Sequence, residues 1–249
     1  MRTQRTLAVI PARYASQRLP GKPLADIAGK PMIVHVLERT RRARLVDEAI
    51  VATDDERIAA AVREHGGTAV MTPDDCRSGS ERIAWVVRTR DDADIVVNVQ
   101  GDEPLIPPSM IDLAVSPLLK DSSIEVGTLV RRSHDESDLR NPNIPKVVLS
   151  GNGDCLYFSR SPIPYGRNLS TGDLLLRPGV FVHVGIYVYR RAALLHYMSL
   201  PPTPLETAEA LEQLRILESG GLIHAEITEE VSRAVDTQED LEHVRTLLQ

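Results

Sequence analysis

Leu7-Ala8-Val9-Ile10-Pro11-Ala12-Arg13-Tyr14-Ala15-Ser16-Gln17-Arg18-Leu19-Pro20-Gly21-Lys22-Pro23 decides how the chain reads as a fold. It opens on an apolar run, Leu7 to Ile10, and passes into a loop that carries three cations and no acid. Ala49-Ile50-Val51-Ala52 and Ile95-Val96-Val97-Asn98-Val99 are runs of the same kind. Short apolar runs without polar alternation are strands buried on both faces, as in a parallel sheet. Helical spacing fills the gaps between them. Met32, Val36 and Leu37 form one such set; Ile58, Ala61 and Val62 follow the acidic start Asp54-Asp55-Glu56; Ile83, Val86 and Val87 form a third. Acids at a helix start favour its N-terminal dipole. The alternation predicts an α/β fold, a doubly wound and mostly parallel, Rossmann-like sheet in a single domain spanning 1–249.

Beyond about residue 125 the pattern becomes strand-rich. Gly127 to Arg131, Lys146 to Leu149, Cys155 to Ser159 and Val182 to Tyr189 read as strands without helices between them. Gly151-Asn152-Gly153 reads as a hairpin connection. Residues 125–200 are expected to be a β-rich insertion in the same domain, either a substrate lid or a dimerisation surface. A helix is expected over Leu205 to Ser219, a strand over Leu222 to Thr228 and a last helix over Gln238 to Leu248.

The chain has 249 residues, 42% hydrophobic and 26% charged, which excludes a disordered or collagen-like chain. The net charge of −6 and the absence of a basic run remove the electrostatic footprint of nucleic-acid binding. An anionic partner must therefore be held by a few placed cations. Two cysteines, Cys76 and Cys155, make no disulfide framework and suggest a reducing compartment. Leu7 to Ala12 is too short for a signal core or a membrane span, so a cytoplasmic protein with no membrane partner is expected.

Ligands of open α/β sheets bind beyond the carboxyl ends of the strands, where the loop with Arg13, Arg18 and Lys22 lies. Cations and backbone N–H groups suit a polyphosphate, although the loop is neither a Walker loop nor a G-x-G-x-x-G turn. A solvated basic turn is the alternative. The run Val96 to Pro104 leaves a buried strand for a turn bearing Asp102 and Glu103. Mg²⁺ is typically held by one or two carboxylates together with substrate phosphates, which makes Asp102 a candidate ligand, against the alternative of a turn or cap residue. Near the C-terminus, Asp236-Thr237-Gln238-Glu239-Asp240 reads as a helix start with Asp236 or Thr237 as N-cap, and leaves Asp236 open as a second ligand.

At this point the chain resembles the 3-deoxy-D-manno-octulosonate (Kdo) cytidylyltransferases. The likeness runs from Ile10 through Leu24, Gly29 to Leu37, Val51 to Asp54, Ser78 to Arg82 and Val97 to Pro104. It continues through Asn141 to Asn143 with Lys146 to Val148, Tyr157 to Pro164, His183 to Tyr187, Pro204 to Glu206, Leu211 to Arg215 and Val235 to Leu241. The first loop alone fits several sugar nucleotidyltransferases; the combination of Gln100-Gly101-Asp102-Glu103-Pro104, Phe158-Ser159-Arg160 and Leu211 to Arg215 is narrower.

The resemblance implies transfer of CMP from CTP to Kdo with release of pyrophosphate, for lipopolysaccharide synthesis, in a homodimer that uses Mg²⁺. It implies that Arg13, Ser16 and Lys22 bind triphosphate, that Ser78, Gly79 and Arg82 lie by the nucleotide, and that Asp102 and Asp236 hold the metal. Lys22, Asp102 and Asp236 would be the catalytic set. Gln100, Arg160, His183, Tyr187, Glu212 and Gln213 would line the sugar pocket, with Arg160 clamping the carboxylate. On residue types alone His183 and Tyr187 also fit strand packing, and Glu212 with Arg215 fits a surface ion pair. The chain departs from the family in carrying Val188 where glycine is expected, and Val231-Ser232-Arg233-Ala234 in place of a glycine-containing turn. A related sugar acid, such as an amino-substituted Kdo or a neuraminic acid, and a nucleotide-binding module without turnover are the competing readings.

Overall fold

The computed structural model describes residues 4–15, 19–176 and 179–248. In chain order the first half contains β1 (Thr6–Ala12), a 3₁₀ turn (Lys22–Leu24), β2 (Asp26–Ile27), β3 (Lys30–Pro31), α1 (Met32–Thr40), β4 (Glu48–Thr53), α2 (Glu56–Glu64), β5 (Thr68–Met71), α3 (Gly79–Arg88) and β6 (Ile95–Asn98). The second half contains α4 (Pro108–Lys120), β7 (Val126–Arg132), α5 (Glu136–Arg140), β8 (Lys146–Leu149), β9 (Cys155–Ser159), α6 (Thr171–Leu175), β10 (Phe181–Arg190), α7 (Arg191–Ser199), α8 (Pro204–Glu209), α9 (Leu214–Glu218), β11 (His224–Ile227) and α10 (Gln238–Leu247).

The main sheet runs β11-β7-β10-β6-β1-β4-β5. Its strands pair in parallel except at β10, which is antiparallel to both β6 and β7. Successive side chains of a strand face opposite ways, so β1 divides its apolar run between two cores. Leu7 and Val9 pack with Ile83, Val86 and Val87 of α3 and Leu194 of α7. Ala8 and Ile10 pack with Ile33 and Leu37 of α1, Ile58 of α2 and Met110 of α4. Helices therefore cover both faces, as the doubly wound reading expects. A third cluster, Ile27, Met32, Val235, Leu241 and Val244, seats α10 against β2 and the start of α1.

The strand-rich stretch differs from its expectation. β7 and β10 are interior strands of the main sheet; only the β8–β9 hairpin, closed through Ser150 and Asp154, branches away from it. Short helices α5 and α6 interrupt the stretch, and α7 lies inside its far boundary. The helix expected over 205–219 is two helices, broken where Ala210 adopts φ +49°. Besides the short β2, β3, α5 and α6, three longer elements had no sequence signal strong enough to read. β5 is a half-exposed edge strand, α4 carries Pro117 in its last turn, and α7 has little amphipathic contrast.

Candidate active site

The carboxyl ends of β1 and β6 open into one cleft. Its charged half is lined by Arg13, Lys22, Arg77, Ser78, Arg82, Asp102 and Asp236. Its other half, enclosed in that most of its walls are buried residues, is lined by Asn98, Tyr187, Tyr189, Met198, Glu212, Gln213 and Ile216. Gly79 and Gln100 border both.

Lys22 is placed by the 3₁₀ turn that follows Gly21, whose φ of +70° suits glycine. Its ammonium donates to Asp102 Oδ2 at 2.7 Å and to Asp236 Oδ1 at 3.2 Å. Asp102 lies in the turn leaving β6. That turn crosses the end of β1 so closely that a Cβ on Gly101 would stand 2.6 Å from the Pro11 carbonyl. The turn before α10 contains no glycine, yet it delivers Asp236 all the same. The Val235 amide donates to the Asp102 carbonyl at 2.8 Å, and the Val235 side chain is fully buried. Thr237, not Asp236, caps α10, in a reciprocal box with Asp240. Two carboxylates converging on one cation form a hard-oxygen donor pair that fits Mg²⁺, which commonly completes its shell with water and phosphate. Beneath them, burial pushes the Glu103 carboxyl up to about 7, the Asp102 charge adding to it and the Ser232 hydroxyl opposing it.

The cations differ in what they have free. Arg13 is exposed and makes no ion pair among the described residues. Arg82 is buried, paired with Asp54 at 2.7 Å and bonded to the Thr72 hydroxyl, so its charge is already balanced. Arg77 forms an exposed pair with Glu81 one helical turn on. Ser16 lies outside the described residues. Ser78 caps α3 by accepting from the Glu81 amide, and its hydroxyl donates to Glu212 Oε1 at 2.7 Å. This single hydroxyl links the two halves of the cleft.

In the enclosed half, Gln100 Nε2 donates to the Gly185 carbonyl at 2.9 Å, inside the bulge of β10 between Val184 and Tyr187. Tyr187 and Tyr189 stack with ring centroids 5.9 Å apart. The Tyr187 hydroxyl and Asn98 Oδ1 are buried without a protein partner. Burial raises both tyrosine pKa values, so both hydroxyls remain protonated at neutral pH. His183 adjoins this half behind Tyr187, at 5.0 Å between ring centroids, and burial holds its imidazole down to about 4. Val188 belongs to the opposite face, fully buried against Gly127, and leaves the pocket's shape alone.

Two expected roles move. Arg160 does not line the cleft. Its guanidinium donates to the carbonyls of Pro142, Glu209 and Ala210, which ties the α8–α9 corner to the chain before β8. Arg215 pairs with Glu206, not with Glu212, and both members are largely buried. Asn98, Tyr189 and Met198 were not foreseen. Asn98 had a signal, being the one polar residue in the apolar run of β6, whereas Tyr189 and Met198 look like ordinary packing.

Residues 7–230 match the family model described as cytidylyltransferase. The chain is 54% identical over 246 residues to the 3-deoxy-manno-octulosonate cytidylyltransferase of Geobacter metallireducens, covering 95% of each. It belongs to this family. The enzyme of the same name from Geobacter sulfurreducens is 52% identical over 246 residues, covering 95% of this chain and 96% of that one. Among solved structures, a CMP:2-keto-3-deoxy-manno-octonic acid synthetase complexed with CTP superposes with a TM-score of 0.91 at 44% identity, over 98% of both chains. As in that family, the sheet is mainly parallel. No helix among the described residues is long and apolar enough to cross a membrane.

Proposed function

We propose that the protein activates Kdo as CMP-Kdo, taking CMP from CTP and releasing pyrophosphate, in the supply of lipopolysaccharide precursors. The observation that carries this reading is the convergence of Lys22, Asp102 and Asp236 at the mouth of a cleft whose inner half is polar, aromatic and enclosed. The charged half suits a triphosphate, with Arg13 a cation that no ion pair occupies among the described residues. The enclosed half offers hydroxyl, amide and carboxylate groups suited to a polyhydroxylated acid.

The anomeric hydroxyl of the sugar attacks the α-phosphorus, a new O–P bond forms, the bond to the β-phosphate oxygen breaks and the hydroxyl proton is released. Such a transfer is mainly positioning and charge neutralisation. Asp102 and Asp236 are the residues that would hold Mg²⁺, which when bound neutralises phosphate charge and lowers the pKa of the attacking hydroxyl. Lys22 keeps the two carboxylates together and adds a positive charge beside the phosphates. Ser78 and Glu212 span the two halves, and Gln100 braces the strand that carries Tyr187.

We place the protein in the cytoplasm as a homodimer. Both cysteines are free thiols. Leu156, Tyr165 and Leu176, on and after the β8–β9 hairpin, expose apolar side chains that support a dimer contact there.

The test is pyrophosphate release by the purified protein with CTP and Kdo, against 8-amino-Kdo, a neuraminic acid and a sugar phosphate. Fastest turnover with Kdo supports the reading. Preference for another sugar acid reassigns the substrate, and CTP binding without release under every pairing overturns the enzymatic role.

A further inference from the structure

Thr128 lies in the middle of β7, fully buried, opposite Tyr187 on β10. Its hydroxyl has two neighbours. The Ile186 carbonyl, in the β10 bulge, is 2.8 Å from Oγ1, and Nε2 of His183 is 3.0 Å from it. A hydroxyl has one proton to give, and a carbonyl can only accept. The Thr128 proton is therefore committed to Ile186. The contact with His183 must run the other way, with Nε2–H donating to Oγ1. A neutral imidazole carries one proton, so Nδ1 keeps its lone pair, and His183 makes no other side-chain hydrogen bond among the described residues. The ring is held edge-on to Phe158, centroids 5.4 Å apart, and tilted against Tyr187. Burial keeps it neutral.

We propose that Thr128 is a positioning residue that fixes His183 in the Nε2–H tautomer, which leaves Nδ1 as the acceptor the ring can offer a ligand. This rests on the reading of His183 as a sugar contact, and it names the chemistry of that contact. Nδ1 takes a hydroxyl of the sugar acid and gives nothing to its carboxylate, which two acceptors cannot share. A sugar acid deoxygenated at that hydroxyl leaves the nitrogen without a donor and loses affinity, whereas a point cation at this position would have drawn the carboxylate instead.

The experiment is a long-range ¹H–¹⁵N correlation spectrum of the ¹⁵N-histidine-labelled, ligand-free protein near neutral pH, with His183 assigned by its loss in His183→Gln. The expected pattern has Nε2 protonated and Nδ1 bare. The opposite tautomer, or an imidazolium, overturns the proposal. Thr128→Val keeps the shape of the side chain and removes the hydroxyl. It is expected to give mixed tautomers and to raise the sugar-acid KM about fivefold to tenfold, the effect of one lost hydrogen bond, with the KM for CTP held within about twofold. Thr128→Ser is expected to restore both readouts. A Thr128→Val protein that keeps the pure Nε2–H pattern, or that loses CTP and sugar acid equally, also overturns it. Should that variant not fold, the wild-type spectrum decides. The spectrum needs no substrate, so a failure of cytidylyl transfer would break the functional reading while leaving the tautomer assignment to stand or fall separately.

Discussion

The two halves of the cleft are built on different principles. The charged half stands on loops at strand ends: the segment after β1, the turn after β6 and the turn before α10. Its groups act through charge, and Lys22 pairs with both Asp102 and Asp236, which leaves one negative charge of the two unbalanced. The enclosed half stands on β6, β10 and the corner between α8 and α9. Its groups act through hydrogen bonds in a confined, aromatic space, where each donor must meet an acceptor. Charged loops suit a ligand whose phosphates vary in position along the reaction; a rigid sheet wall suits a sugar whose hydroxyl pattern must be checked.

The largest expected effect breaks the charged half. Asp102→Asn and Asp236→Asn keep side-chain size but each removes a negative charge from the proposed metal site. Steady-state kinetics should show kcat reduced at least about a hundredfold, since metal charge stabilisation is worth several kcal/mol. Chelator should abolish turnover of the unmodified protein and Mg²⁺ should restore it. Normal turnover in both variants, or in excess chelator, would remove the metal from the scheme. Lys22→Ala comes next. A lost charge-assisted hydrogen bond is worth about 1.5–3 kcal/mol, so use of CTP should fall roughly tenfold or more. An unchanged kcat/KM for CTP would reduce the first loop to a basic turn.

The enclosed half is tested by acid. His183 has a folded pKa of about 4, below the ordinary value of about 6.5 in the unfolded chain. The unfolded state then binds more protons between these values. The contribution is fully present above about pH 6.5 and is lost as pH falls towards about 4. Between about pH 7 and 5 this amounts to about 2 kcal/mol. Denaturant unfolding should therefore show a steeper acid loss for the wild type than for His183→Gln, and parallel curves would mean that the ring titrates normally. The smallest effect sharpens the boundary between the halves. Arg160→Lys should lower stability by about 1–2 kcal/mol, because an ammonium cannot reach three carbonyls on separate segments as a guanidinium does. A selective rise in the sugar-acid KM would instead put Arg160 into the pocket.

Much of this was legible in the chain. Apolar runs identified β1, β4 and β6, and helical spacing identified α1, α2 and α3, because burial on both faces imposes those patterns on local sequence. The loop with Arg13 and Lys22 and the turn with Asp102 were readable because charges at strand ends have few structural reasons to be there. The enclosed half was less so. A tyrosine pointing into a pocket and one pointing into a core have the same neighbours in sequence, and Arg160 reads as a clamp for any carboxylate until its backbone partners are known.

The sequence by itself determined the alternation of elements, the family and the identity of most cleft residues, since these depend on local periodicity and contiguous motifs. Only the tertiary structure decided that β7 and β10 belong inside the main sheet, that Lys22 spans Asp102 and Asp236 across 214 positions of chain, and that Thr128 meets His183. Those contacts follow from strand order, from one reversed strand with a bulge and from the docking of α10. Each is a long-range consequence of packing, which leaves no trace in the spacing of neighbouring residues.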